Sequence, residues 1–279
     1  ISQKQIQLDQ FKVTGANASI VIEQFLRNER GITTRGKFEH VKIGELLQSL
    51  NPAAAIAGDL SLGGDWNLNL IDKLDGTVNL RRESGDLVMR GNSSAALGLT
   101  NLNASATASK GRLAVTLLAE GKQTGRIDLN LNTTIGGDSR FSISPNAPVS
   151  GSARMNVPTL AWLGPLISPA LIMEGSLQSN VTLNGTFGQP RMVGPVTADR
   201  LRLLFTDSGV DLKQGVLRST FQGDQLVISN LSFQNEGNLV ISGPLSLVRE
   251  QLALELTLKA TRYKLIDRSD RKFVISGDA

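Results

Sequence analysis

The chain has 279 residues, of which 40% are apolar, 19% charged and 28 glycine; 29 basic against 25 acidic side chains give a net charge of +4. Such a composition belongs to a folded chain rather than a disordered one, and its charge is too balanced for a dedicated nucleic-acid binder. Cysteine is absent, which excludes disulfides, thiolate metal sites and a cysteine nucleophile and suits an oxidising compartment such as a periplasm.

No apolar run approaches 18 residues, so no transmembrane helix is expected. Residues 1–20 lack the basic stretch and following apolar core of a signal peptide. The chain begins in mid-pattern at Ile1 and stops at Ala279 just after FVIS, as a fragment of a longer protein would.

In chain order, short strands are predicted within 4–25, with Ile6, Leu8, Phe11 and Val13 and then Ile20, Val21 and Ile22 as apolar positions. Arg27–Lys37 reads as a basic link. The period changes at His40–Leu50, where Ile43, Leu46, Leu47 and Leu50 fall on one helical face, and Asn51-Pro52 ends that helix. From Ile56 the period is two again. Leu60, Leu62, Trp66, Leu68 and Leu70 alternate with polar or small residues. Further strands are expected at Thr77–Arg81, Leu87–Arg90, Leu97–Leu102, Leu113–Leu117 (with Leu113, Val115 and Leu117 inward), Arg126–Thr134 (Ile127, Leu129, Leu131) and Phe141–Ser144.

The clearest stretch is Val157–Val196. A helix-like segment turns through Pro169 into a strand whose polar face carries Ser176, Gln178, Asn180, Thr182, Asn184 and Thr186. Its apolar face carries Leu177, Val181, Leu183 and Phe187. Strands at Arg200–Phe205, Gly215–Phe221, Leu226–Phe233 (Leu226 and Ile228 inward) and Leu239–Leu247 follow. Leu252, Leu254, Leu256 and Leu258 then alternate with Ala253, Glu255 and Thr257. A basic tail, Lys259–Lys272, reads as a solvated linker, with contact to lipid headgroups as the alternative. The whole is all-β, roughly eighteen strands at meander spacing with two short helices.

The two helices belong to a repeat. A shift of 117 residues pairs Ile43 with Leu160, Leu46 with Leu163, Leu50 with Ile167, Pro52 with Pro169, Gly58 with Gly175 and Leu60 with Leu177. Internal repetition implies an elongated architecture. Gly164-Pro165 weakens the second helix. The expected divisions are 1–39, N-terminal strands of a sheet continuing upstream; 40–156, the first helix-plus-strands repeat; and 157–279, the second.

Two short helices cannot cover the apolar face of eighteen strands, so the sheet must fold over itself as a sandwich, a closed barrel or a long groove. An outer-membrane barrel lacks its aromatic girdles here, since aromatics make up 4%. Chemistry is not indicated. His40 is the only histidine, so no triad has a second base and no multi-histidine metal site exists. Asp72, Asp75 and Gly76 read as a turn rather than a calcium loop. Gly63-Gly64 and Gly136-Gly137 lack a phosphate-loop lysine. Asn-x-Ser/Thr triplets at Asn17, Asn92, Asn103, Asn132, Asn180 and Asn184 read as polar strand faces. No enzyme, cofactor or metal site is expected.

The unit of helix, proline, glycine and alternating strand, followed by GTFGQPRMVGPV at Gly185–Val196 and by Gln214–Leu247 with its Ser242-Gly243-Pro244 turn, resembles the C-terminal part of the TamB family. That family, the translocation and assembly module subunits, belongs with the AsmA-like envelope proteins. The resemblance covers 157–279 best and 40–156 more loosely. It implies a curved, taco-like antiparallel sheet folded into an apolar-lined groove, in a protein anchored in the inner membrane that reaches across the periplasm to the outer membrane. It implies an Omp85-class, TamA-like outer-membrane barrel partner. The cargo implied is phospholipid acyl chains or unfolded outer-membrane protein strands, including autotransporters. The groove would be lined by the alternating apolar residues named above, from Leu60 to Leu258. The rival readings are a closed β-sandwich that binds or adheres at a cell surface and, more distantly, a polysaccharide-acting enzyme.

Overall fold

The computed structural model describes residues 5–15, 18–51, 55–71, 73–136, 142–248, 251–267 and 270–279. The chain opens with β1 (Ile6–Gly15), β2 (Ala18–Asn28) and β3 (Gly31–Lys42), followed by α1 (Ile43–Leu50). Next come β4 (Ile56–Gly58), β5 (Ser61–Leu70), β6 (Leu74–Ser84), β7 (Leu87–Arg90) and β8 (Ser94–Ala96). The central strands are β9 (Leu99–Ser109), β10 (Arg112–Gly121), β11 (Gly125–Thr134) and β12 (Ser150–Val157). After α2 (Gly164–Ile167) come the long strands β13 (Leu171–Thr186), β14 (Gln189–Phe205) and β15 (Val210–Gly223). The chain closes with β16 (Gln225–Gln234), β17 (Asn238–Val248), β18 (Gln251–Leu254), β19 (Thr257–Asp267) and β20 (Lys272–Asp278).

Seventeen of these strands form one antiparallel sheet. It is a meander, each strand pairing with the next from β1 to β17, with β4, β7 and β8 set aside as a separate three-stranded sheet. Only β4, β7 and β8 stand outside this continuous sheet. Alternation plus short turns builds such a sheet because each hairpin satisfies the backbone of the strand before it.

Three expectations need correction. Arg27–Lys37 is not a link: β3 begins at Gly31, where Ile32, Thr33 and Thr34 favour extended backbone, and it is paired on both sides by β2 and β5. Lys259–Lys272 is not a solvated tail: β19 pairs with β17 and β20, and Tyr263 within it is fully buried. Residues 142–144 carry no strand, and Phe141 lies outside the described residues, as do Asn17, Pro52, Asp72, Gly137 and Arg268.

The second helix is one turn long, with Pro165 in its first turn, and the preceding residues form turns. Pro165 fits there because its missing N–H is one of the unpaired donors of a helix start. The two stretches related by 117 residues nonetheless share backbone geometry. Gly58 has φ +121° and Gly175 has φ +118°, left-handed values that a side chain rarely tolerates. Each lies close against the backbone of a paired strand or the residue beside it: a Cβ on Gly58 would sit 2.2 Å from the carbonyl of Asp86, just before β7, and one on Gly175 2.8 Å from that of Asp199 in β14.

The fully packed cores lie along one rim of the sheet, the rim that carries α1, α2 and the small sheet. One core joins Val157, Leu160, Ala198, Leu201, Phe233, Leu239, Ala260 and Tyr263; the other joins Leu60, Leu62, Met89, Leu97 and Leu99. Trp162, in the segment before α2, packs against both. Its indole N–H is buried with no partner among the described residues, a cost of roughly 1–3 kcal/mol that the packing of the ring has to outweigh. At the C-terminal end of this rim the sheet closes on itself. Beyond the tip of the β16–β17 hairpin β15 meets β19 directly, at Val210 opposite Ile266. The ring β15–β16–β17–β19 is filled by Phe233 and Tyr263.

Burial raises the pKa of the Tyr263 phenol, with the Asp211 carboxylate adding to the rise, while a hydrogen bond from the Lys213 backbone N–H opposes it. The neutral phenol is thus favoured in the folded state. Stability from this group is complete below about pH 10, the unfolded tyrosine value, and is lost as pH rises toward the higher folded value. Tyr263 is the chain's single tyrosine. Phenolate absorbance during alkaline titration should therefore report this site alone, with a midpoint above that of the chain in denaturant; coincident midpoints would contradict the buried ring.

Candidate functional site

Residues directly opposed on antiparallel strands share a face, so strand registers can be followed across the sheet. One row runs Phe11–Ile22–Gly36–Trp66–Val78–Ala106–Val115–Leu131–Gly151–Leu183–Met192–Gly223, from β1 to β15. The neighbouring row runs Val13–Ile20–Phe38–Gly64–Leu80–Ala104–Leu117–Leu129–Ala153–Val181. Neither row contains a polar side chain. Toward the C-terminus the face continues through Leu177–Ala198–Leu217–Leu231–Ile241–Leu258.

Large and small residues interlock along the rows. Phe38 and Trp66 stack with centroids 6.5 Å apart. Gly36 lies under the Trp66 ring and Gly64 under Phe38, where an added Cβ would come within 2.5 Å of the ring in each case. An alanine at either site would have to displace an aromatic ring.

This face is only partly covered. The two cores take its capped-rim end, while the stretch toward the opposite rim (the rim of the β5–β6, β9–β10 and β13–β14 turns) keeps contact with solvent. Val78 is 37% exposed and Leu254 54%. In β1 every residue is exposed, among them Ile6, Leu8, Phe11 and Val13. The result is a trough, sealed along one rim and open along the other.

The residues expected to line it fall into four groups. Leu60 and Leu62 are sealed inside the smaller core and serve as packing. Trp66, Leu68, Leu113, Val115, Leu117, Ile127, Leu129, Leu131, Leu177, Leu183, Leu226 and Leu258 are half-buried on the apolar face, with Val181 and Ile228 more deeply buried among them. Phe187 lies past the end of β13 in the turn before β14, exposed at the open rim; Leu254 and Leu256 are exposed as well, Leu256 between β18 and β19. The Leu252 side chain lies outside the described residues. Sequence alternation missed Gly36, Ala104, Ala106, Gly151 and Ala153, because small residues carry little hydrophobic signal. Their recurrence opposite large partners was the available clue.

Most charge lies on the outer face; Arg27, opposite Ile6 and Ile32, and Arg82, opposite Leu62, stand on the apolar one. Arg202 bridges Glu174 at 3.0 Å and Asp211 at 2.8 and 2.9 Å. Burial acts to raise the Asp211 carboxyl, but the Arg202 guanidinium and Lys213 outweigh it and hold it below the usual carboxylate range. His40 is exposed. Its backbone N–H and ring Nδ1 both meet Glu83 Oε2, which also accepts from Ser61 Oγ, so the only histidine ties down a bend in β3. No group of three or more metal-ligating side chains occurs among the described residues. The two rows traced above present apolar side chains and glycine throughout.

A profile of the TamB N-terminal domain matches residues 1–198. The chain belongs to the TamB family. The match corrects the expected placement in the TamB C-terminal part, since it is the N-terminal domain that aligns and it covers β1 through most of β14. No curated protein and no solved structure matches the chain. Among the described residues no helix is long and apolar enough to cross a membrane. The TamB match and the apolar trough coincide over eleven of the strands in the large sheet.

The division between sealed rim and open trough is measurable by urea unfolding. Phe233→Ala, in the closed core, should cost about 3–5 kcal/mol. Leu131→Ala, on the open face, should cost about 1 kcal/mol, a partial transfer loss with no cavity. Equal large losses would mean the trough is a closed core.

Proposed function

We propose that this chain is a periplasmic section of a TamB-family envelope protein and that its trough holds apolar cargo moving between the inner and outer membranes. The supporting observation is the unbroken apolar row from Phe11 to Gly223, half-buried and free of polar side chains. A phospholipid in water gains roughly 0.8 kcal/mol for each CH₂ it buries. A trough of uniform aliphatic character offers that gain at each strand with no deep site to hold the cargo. The role is non-catalytic, a reading in keeping with a wall of Leu, Ile, Val, Ala and Gly.

A second cargo would meet the same face. Val78, Phe187 and Leu254 keep apolar side chains exposed on it, and an unfolded outer-membrane strand needs such cover. In this reading the chain chaperones barrel precursors, autotransporters among them, toward an Omp85-class, TamA-like partner.

The test is photo-crosslinking in cells from a probe at Leu129, with mass spectrometry of the adducts. Phospholipid adducts support the first cargo and barrel-protein adducts the second; an absence of both would remove the trough as a cargo path. In parallel, Leu183→Arg and Leu254→Asp should leave the chain folded, with stability changed by less than about 2 kcal/mol, and abolish those adducts. Unfolding of both variants would point to ordinary packing.

A further inference from the structure

The trough changes shape toward its C-terminal end. Its second row reaches Val181 and is carried on by Gly194, where an added Cβ would sit 2.9 Å from the Val181 Cα. Gly194 opposes Phe221, Phe221 opposes Leu226, Leu226 opposes Leu245 and Leu245 opposes Leu254. The first row, nearer the open rim, ends at Gly223, the last residue of β15. On the capped side Leu177, Leu217, Leu231, Ile241 and Leu258 run into the larger core. Beyond β14 one row of the trough therefore stays open: Phe221, Leu226 and Leu245 are half-buried and Leu254 is exposed.

Beside that row the ring of β15, β16, β17 and β19 is filled and fastened. Phe233 is 1% exposed and Tyr263 fully buried. Gly215 is the seat of Phe233: a Cβ there would lie 2.5 Å from the phenyl ring and 2.7 Å from the Leu201 Cβ. The seam is held at the hairpin tip as well as at Val210 and Ile266. Asn235 Nδ2 donates to the Lys264 carbonyl at 2.7 Å, the Lys264 N–H donates to the Asn235 carbonyl at 3.2 Å, and Lys264 Nζ meets Glu236 at 2.7 Å. Opening the ring would break these bonds and wet both aromatic rings, so a closed ring is the favoured state.

Given a trough that carries lipid, as proposed above, we infer that the ring is a fixed plug and that it turns an acyl chain of the cargo onto the single row from Phe221 to Leu254. Same-face neighbours on a strand stand roughly 6.7 Å apart, so the path narrows by about that step where two rows become one. One row gives a single acyl chain apolar contact at each strand. It also runs beside the open rim, where the polar headgroup stays in water while the chain is covered.

The test uses the purified full chain and a phosphatidylcholine with a diazirine on one acyl chain; irradiation and peptide mass spectrometry locate the labels. Labels are expected at Leu129 and again at Phe221, Leu226 and Leu245. Phe233 and Leu239 should be labelled at least about tenfold less, because a close-packed interior admits no probe. The seam can also be pinned by Val210→Cys with Ile266→Cys, oxidised to a disulfide in a chain that has no other cysteine. A fixed plug predicts the same labels in the oxidised and reduced forms. Labels at Leu129 with none at Leu226 or Leu245 would overturn the single-row path and spare the trough. Equal labelling of Phe233, or a fall at Leu226 and Leu245 on oxidation, would overturn the plug; no label at any position would overturn path and trough together.

Discussion

Cross-strand register is the constraint on which the rest depends. Side chains alternate with a period of two, so a slip of one residue in any pairing would turn a strand's leucines to water and its asparagines into the trough. Seventeen strands hold the same sense. Where the register shifts, the apolar spacing shifts with it. Phe38 and Val41, Ala198 and Leu201, Ile228 and Leu231, and Ala260 and Tyr263 are three apart instead of two, and each pair brackets a bulge. His40, Arg200 and Arg262 take left-handed φ within three of these bulges. Each such residue costs on the order of 1–3 kcal/mol, tolerated where surrounding packing enforces it. A bulge bends its strand, and these lie toward the capped rim beside the cores.

That asymmetry is what makes a trough rather than a sandwich. At the capped rim the smaller core, the short helices and the β15–β19 closure bury apolar side chains completely, and Trp162 ties the two cores together. At the other rim nothing among the described residues covers the face, and the residues there are half-buried by their neighbours alone. Packed and open apolar surface are thus separated within one sheet: Phe233 and Tyr263 are sealed in the core, while Val115, Leu129 and Leu131 are half-buried on the open face.

Much of this was legible in the sequence. Period-two stretches such as Ile127–Leu129–Leu131 and Leu177–Leu183 gave strands and the correct face. The triplets of Asn-x-Ser/Thr gave the polar side. The basic segments misled, because Arg35, Lys37, Lys259 and Arg262 lie in paired strands, and net charge does not report backbone pairing. The α1 pattern misled in part: Ile43 packs inward, but Leu46 and Leu50 stay exposed, since the neighbouring sheet offers cover for only part of an eight-residue helix. Closure of β15 on β19 could not be read, because it rests on a single long-range pair beyond a hairpin tip.

The apolar face stands open along the uncapped rim, where Val78 and Leu254 are exposed. The chain has no cysteine, so single cysteines can report it without background. Thiol-modification rates should be compared for cysteines at Val115, Leu129 and Phe233, with and without a short-chain phospholipid. An open face gives fast modification at Val115 and Leu129, slow modification at Phe233, and protection of the first two by the lipid. Protection at all three positions before lipid is added would contradict it.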